Sequence, residues 1–166
     1  MRNIVLIAHN LRSCHNVGSL LRTADGLGIS KVYLTGYTPY PWQSNDVRLP
    51  HLAIKIHKQI QKTALGAEES VDWTHNPDVF SIIETLKSQA YGVVALEQSA
   101  DSVDLTAWIP PSAVAIIVGR ETEGIEPEVL KACDTTLEIP MLGKKESLNV
   151  VQASAMALYH CRFMIK

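Results

Sequence analysis

The chain has three cysteines, Cys14, Cys133 and Cys161, and no Cys-x-x-Cys pair among them. Such spacing suggests neither a disulfide framework nor a zinc site, and a reducing cytoplasm is the expected location. His51 and His57 lack ligand spacing on a helix, so no metal is expected. There is no signal-peptide pattern, and the apolar runs are too short to cross a membrane. No Gly-x-Gly-x-x-Gly follows the first apolar run and no P-loop is present, which argues against a Rossmann-type oxidoreductase. Internal repeats, low-complexity tracts and linkers are also missing. Residues 1–166 are therefore expected to form a single domain.

What is present reads as globular: 46% of residues are hydrophobic and 19% charged. The net charge of −2 conceals an asymmetry. Residues 1–62 carry eight Lys or Arg against Asp25 and Asp46, whereas the remainder carries seven against fifteen acids. A local basic footprint for nucleic acid is compatible with that distribution.

Asn3–Ala8 is a near-continuous apolar run, as expected of a buried parallel strand. Asn16 is placed to cap a helix with Val17, Leu20, Leu21, Ala24 and Leu27 at period 3.6, ended by Gly28. Lys31–Leu34 returns as a strand, which makes a βαβ opening. Further strands are expected at 91–96, 114–118 and 135–139, and helices at 51–64, 77–90 and 126–132. The alternation predicts an α/β fold of about five mostly parallel strands with helices on both faces.

The most informative run is 139–161. Pro140 closes a strand, Gly143, Lys144 and Lys145 form a loop, and Ser147 stands where a helix N-cap is expected. Leu148, Val151, Ala155 and Leu158 then lie on one helical face, among small residues that permit close backbone approach. Such a junction at the carboxyl edge of a sheet is where α/β proteins bind ligands. On the first helix, Gly18 and Arg22 lie one turn apart. Gly18 either clears space for a ligand to reach the Arg22 guanidinium or permits tight helix packing. In the loop 36–50, Tyr37, Tyr40, Trp42 and Arg48 either stack on nucleotides or pack the loop itself.

Three segments then resemble one family in its own order. Asn16-Val-Gly-Ser-Leu-Leu-Arg22, Gly119-Arg-Glu121-Thr-Glu-Gly124, and Ile139-Pro-Met141 with Ser147-Leu-Asn149 resemble the motifs of the SpoU/TrmH-type RNA ribose 2′-O-methyltransferases of the SPOUT superfamily. The resemblance covers the whole chain. It implies a C-terminal deep trefoil knot, a homodimer, and S-adenosylmethionine held by Leu96, Gly119, Ile139, Met141, Ser147 and Leu148. The implied substrate is RNA, with tRNA favoured for so short a member and rRNA as the alternative. A non-catalytic RNA-binding module of the same fold would be expected to lose Arg22 or the donor loop, and both are here.

The catalytic group implied by the resemblance is Arg22, Asn16, Glu121, Ser147 and Asn149, with Arg12 and His15 as further RNA contacts. Arg22 is the residue implied to activate the ribose hydroxyl. Arginine stays protonated, so it either serves as a base against its chemistry or stabilises the developing alkoxide while an RNA phosphate takes the proton. Glu121 is expected to orient Arg22 or the neighbouring loop.

Overall fold

In the computed structural model, which describes residues 1–164, the elements follow one another as β1 (Asn3–His9), α1 (Cys14–Gly26), β2 (Lys31–Thr35), α2 (Pro50–Ala64), α3 (Ala67–Ser70) and β3 (Trp73–Asn76). They continue as α4 (Val79–Ser88), β4 (Gly92–Leu96), β5 (Val103–Asp104), β6 (Ala113–Val118), α5 (Pro127–Ala132), β7 (Thr135–Glu138) and α6 (Val150–Phe163). The seven strands lie in the order β3-β2-β1-β6-β4-β7-β5, and every neighbouring pair is parallel.

Both faces of the sheet are covered, which is why β1 and β6 are apolar at nearly every position. Ile4, Leu6 and Ala8 face a core shared with α1, α3 and α6. Val5 and Ile7 face the opposite core, shared with α4 and α5. The helix α2 does not lie on the sheet but packs along the outside of α1. After β7 the chain turns back, and α6 lies against α1, β1, β4 and β6.

Five strands are expected from the sequence, and the two additional ones, β3 and β5, are the edges of the sheet. Edge strands need no apolar run, and neither Trp-Thr-His-Asn nor Val-Asp has one.

Helix starts differ from expectation as well. Ser13, not Asn16, caps α1, its hydroxyl accepting from the Asn16 backbone N–H at 3.2 Å. Asn149, not Ser147, caps α6, its Oδ1 accepting from the Val151 N–H at 2.8 Å. Both replacements are chemically equivalent caps, shifted by two or three residues. The buried stripe of α6 moves with its start, to Ser154, Ala157, Leu158 and Cys161. At the other end of α1 the expected glycine stop holds. Gly28 (φ +60°) donates to Asp25 O at 3.0 Å and Ile29 to Ala24 O at 2.9 Å, a Schellman closure.

Gly18 serves packing. A Cβ there would stand 2.2 Å from the Ile60 carbonyl oxygen and 2.3 Å from Thr63 Oγ1, so α1 and α2 approach backbone to backbone. The expectation that Gly18 opens a path to Arg22 is overturned, because α2 already fills that space. In an open helix Gly→Ala gains about 1 kcal/mol. Here Gly18→Ala should instead destabilise by about 1–3 kcal/mol, the cost of overpacking. Urea unfolding checks the sign, and a stabilised variant would contradict the backbone contact.

Candidate functional site

Parallel strands carry their ligand crevice at their carboxyl ends. The ends of β4, β6 and β7, adjacent in the sheet, open into one cleft of about 500 Å³. Its walls are Leu96–Gln98, Val118–Thr122 with Gly124, Leu137–Ile139 with Met141, the segment 146–149, and Val150 and Ala153 of α6. Every residue implied as a cofactor contact lies on this wall: Leu96, Gly119, Ile139, Met141, Ser147 and Leu148. Glu97, Glu121, Glu138 and Glu146 line it against one cation, Arg120, so the cleft favours positive charge.

The β6–α5 loop is built over the Glu97 carboxylate. Its Oε2 accepts from the Ile125 N–H at 3.0 Å and its Oε1 from the Gln98 N–H at 2.9 Å. Gly124, at φ +69°, leaves room for this, because a Cβ there would stand 2.2 Å from Glu97 Oε2. Gly119 faces the same loop: its Cβ would meet Ile125 Cγ1 at 2.5 Å and the Gly124 carbonyl carbon at 2.9 Å. A side chain at Gly119 therefore breaks the loop before it obstructs a ligand. Across the cleft, Gln98 Nε2 donates to the Glu146 carbonyl at 2.8 Å and pins the 140–149 loop. Glu97 and Gln98 carry these ties without any motif of their own.

A partly buried cluster, with His9 and Thr35 at its buried end, supports the loop from the β1 side. Asn10 Nδ2 donates to Glu126 Oε1 at 2.8 Å and faces His9 Nε2 at 3.0 Å, and His9 Nδ1 faces Thr35 Oγ1 at 2.9 Å. With Asn10 as donor, His9 accepts at Nε2 and carries its proton on Nδ1. Burial pushes the His9 pKa down; Glu126 pulls it up and Arg120 presses it down again. Burial works to raise the Glu126 pKa, but its own backbone N–H, Asn10, His9 and Arg120 hold it below the usual range. Arg120 Nη2 lies 3.5 Å from Glu126 Oε1. Asn10 itself has φ +56°, and its Oδ1 accepts from the Tyr37 N–H at 3.1 Å, which joins the β2 loop to the same cluster.

Among the remaining implied residues, Asn16 Nδ2 donates to Glu121 Oε1 at 2.9 Å, so α1 touches the rim of the cleft. Glu121 thus holds Asn16 and the loop, with no bond to Arg22. Arg22 is exposed and lies in a second, shallow cleft with Ser19, Thr23, Lys62, Thr63 and Val151. The two clefts meet different sides of the first turn of α6. Arg12 pairs with Glu123 at 3.0 Å in solvent, an interaction of small net energy. His15 is exposed, and its carbonyl accepts from Thr63 Oγ1 at 2.8 Å.

The 36–50 loop divides its aromatics. Tyr40 is buried, stacked on His75 with ring centroids 3.9 Å apart, and covered by the Arg48 guanidinium at 3.6 Å. Arg48 Nε donates to Asp46 Oδ1 at 2.8 Å, and this contact holds the Asp46 carboxyl down at about 2. Arg48 and Tyr40 therefore pack the loop, whereas Tyr37 and Trp42 stay about half exposed.

A seven-stranded parallel sheet with a strand-end cleft and a glycine-closed loop defines the class: a doubly wound α/β protein with a built ligand site. Comparison with known proteins specifies it. The model of the SpoU rRNA methylase family matches residues 3–159. A TrmH-family relative from Staphylococcus saprophyticus is 29% identical over 157 residues, 93% of this chain and 56% of the relative. An AdoMet-bound rRNA methyltransferase from Sinorhizobium meliloti has the same fold with a TM-score of 0.81 at 21% identity, over 99% of this chain and 57% of that one. A solved structure concerning 2-OH methylation of C/U34 on tRNA superposes with a TM-score of 0.75 at 22% identity, over 96% of this chain and 94% of that one. The chain belongs to the SpoU rRNA methylase family. It spans just over half the length of the curated relatives it matches.

The His9 cluster gives a pH dependence with a definite sign. A histidine whose folded pKa lies below its unfolded value contributes fully above about pH 6.5 and opposes folding as pH falls through that value. Protonation would turn Nε2 into a donor facing both the donor Asn10 Nδ2 at 3.0 Å and the acceptor Glu126 Oε2 at 3.4 Å, and burial of the charged ring outweighs that second contact. Melting temperature between pH 7.5 and 5.5 should therefore fall more in the native protein than in His9→Gln. Equal slopes would show that His9 is not held neutral.

Proposed function

We propose that this protein transfers a methyl group from S-adenosylmethionine to a ribose 2′-hydroxyl of RNA, with tRNA the favoured substrate. The observation that carries the reading is the strand-end cleft, in which the second and third motif segments meet while Asn16 of the first ties onto its rim through Glu121, and whose acid-rich wall suits a sulfonium and an ammonium group. Leu96, Gly119, Ile139, Met141, Ser147 and Leu148 would hold the donor, and Ala153 would bound it from α6. Bound there, S-adenosylmethionine supplies an electrophilic methyl group. The tRNA preference draws on the similarity to the structure concerning C/U34 of tRNA, and the tRNA/rRNA relatives keep rRNA as the second reading.

The protein's own contribution is positioning and charge. Arg22, with a guanidinium exposed in a cleft of hydroxyls, is suited to grip a phosphate and stabilise charge building on the ribose oxygen. Being always protonated, it leaves the proton to an RNA phosphate. Asn16 and Glu121 fix the rim between α1 and the β6–α5 loop. Asn149 caps the helix whose first turn borders both clefts, and Ser147 stands on the donor side of it.

The same reading includes the knotted C-terminus, supported by β7 inserting between β4 and β5 before α6 returns to β1 and β6. It includes a homodimer, supported by half-exposed Met156, Tyr159 and Phe163 on α6. It also includes a cytoplasmic setting, in keeping with three free thiols.

Arg22→Ala should leave donor binding by calorimetry nearly intact while methyl transfer to tRNA falls on the order of 10²-fold. Arg22→Lys should recover little if the planar fork matters and most of the rate if charge alone does. Near-normal turnover in Arg22→Ala would remove Arg22 from the chemistry. Ala153→Leu tests the donor cleft from a wall that does not disturb Gly119, and should weaken donor binding at least tenfold. Sedimentation at low micromolar concentration should give about twice the 18.3 kDa chain mass; a fully active monomer would contradict the dimer.

A further inference from the structure

The outer face of α2 is unexplained by anything above. The helix is amphipathic, burying Ala53, Ile60 and Ala64 toward α1. Its opposite face carries His51, Lys55, Lys58 and Lys62, at intervals of four, three and four residues, all exposed. That interval is one stripe of an α-helix. No acidic residue occurs from Pro50 to Ala64 to balance it. Among the described residues none of the three lysines forms an ion pair, although Lys31 and Lys87 both do. An ordinary solvated helix face mixes signs; this one holds a single sign.

The stripe also has a destination. Lys62, at its C-terminal end, lines the same cleft as Arg22. Gly18 makes the junction, since the backbone contact it permits brings α2 close enough to α1 for Lys62 and Arg22 to share one opening. From Lys55 to Lys62 the stripe runs roughly 10 Å along the helix axis. That is long enough for consecutive phosphates of an extended strand to meet successive ammonium groups.

We propose that the Lys55–Lys58–Lys62 stripe of α2 is a phosphate track that binds the RNA strand flanking the methylated nucleotide and leads it to Arg22. The inference rests on the RNA methyltransferase reading and adds to it the surface that recognises the backbone. Lysine suits this task, because an ammonium on a flexible stem accepts phosphate from many directions and reads no sequence. The track thus contributes affinity and register, and leaves the choice of nucleotide to other surfaces.

The test uses the full chain, tRNA isolated from cells lacking the protein, and S-adenosylmethionine. Lys55→Gln, Lys58→Gln and Lys62→Gln together should weaken tRNA binding at least tenfold near 0.1 M salt. The slope of log affinity against log salt should become shallower by about 2, from about 0.7 per lost phosphate contact on single strands. Donor binding should be unchanged, which also reports that the variant is folded. Lys58→Gln alone should take about 0.7 from the slope, and Lys131→Gln on α5 should take nothing. If the native protein binds tRNA and donor but the triple variant keeps the native affinity and slope, the track is overturned and the methyltransferase reading stands. If the native protein binds neither, the methyltransferase reading itself fails. Displacement of tRNA by polyglutamate at equal charge would mark a surface for acidic protein and overturn the track.

Discussion

The candidate donor cleft depends on one carboxylate. Glu97 leaves the end of β4 and accepts from the backbone of Ile125, twenty-eight residues away in the next strand's loop. Without that acceptor the β6–α5 loop has an unpaired N–H at its base, a cost of about 1–3 kcal/mol for a buried donor. The glycines on either side are consequences of the same contact. Gly124 must be free of a Cβ because Glu97 Oε2 stands where it would be, and Gly119 must be bare because the closed loop folds back on it. A motif that reads as a ligand-binding Gly-x-Glu-x-x-Gly is therefore first a folding device. Whatever binds in the cleft meets a wall already fixed.

The loop is held from both sides of β6 in the sheet. β4 supplies Glu97, and β1 supplies His9 and Asn10, which reach Glu126 at the end of the same loop. Asn10 accepts the cost of a left-handed backbone, and its amide thereby faces Glu126 while its oxygen receives Tyr37. Three strand ends and the β2 loop are thus one connected body. Preorganisation of this kind lets a site present charge without reorganising when substrate arrives.

Much of this was legible in the sequence, and the division is physical. Strand ends that line the cleft announce themselves, because an apolar run stopped by Gly119 or Pro140 is visible in one dimension. The family resemblance then places Leu96, Met141, Ser147 and Leu148 beside them, and all prove to share one cleft. What could not be read are ties between distant residues. Nothing near Asn10 predicts Glu126, and nothing near Gln98 predicts the carbonyl of Glu146. Gly18 shows the opposite failure, a residue with two sensible readings that only the position of α2 decides. The caps slipped by two or three residues because Ser13, Asn16, Ser147 and Asn149 are all competent caps, and tertiary packing chooses between them.

The first turn of α6 sets the relation between the two clefts. Val150 and Ala153 face the acid-lined cleft, while Val151 faces the one that holds Arg22. Adjacent helical residues point about 100° apart, so a single turn suffices to divide the spaces. The Asn149 cap keeps that turn wound, and the helix then serves as a partition with its N-terminal rim as the passage. Under the proposed chemistry, the reacting atoms must approach to about 3 Å, so the acceptor ribose has to pass this rim while its phosphates remain on the Arg22 side. Ser147, Leu148 and Asn149 occupy that rim. Their place in the mechanism then follows from position: they are where a strand gripped on one side of α6 meets a ligand held on the other.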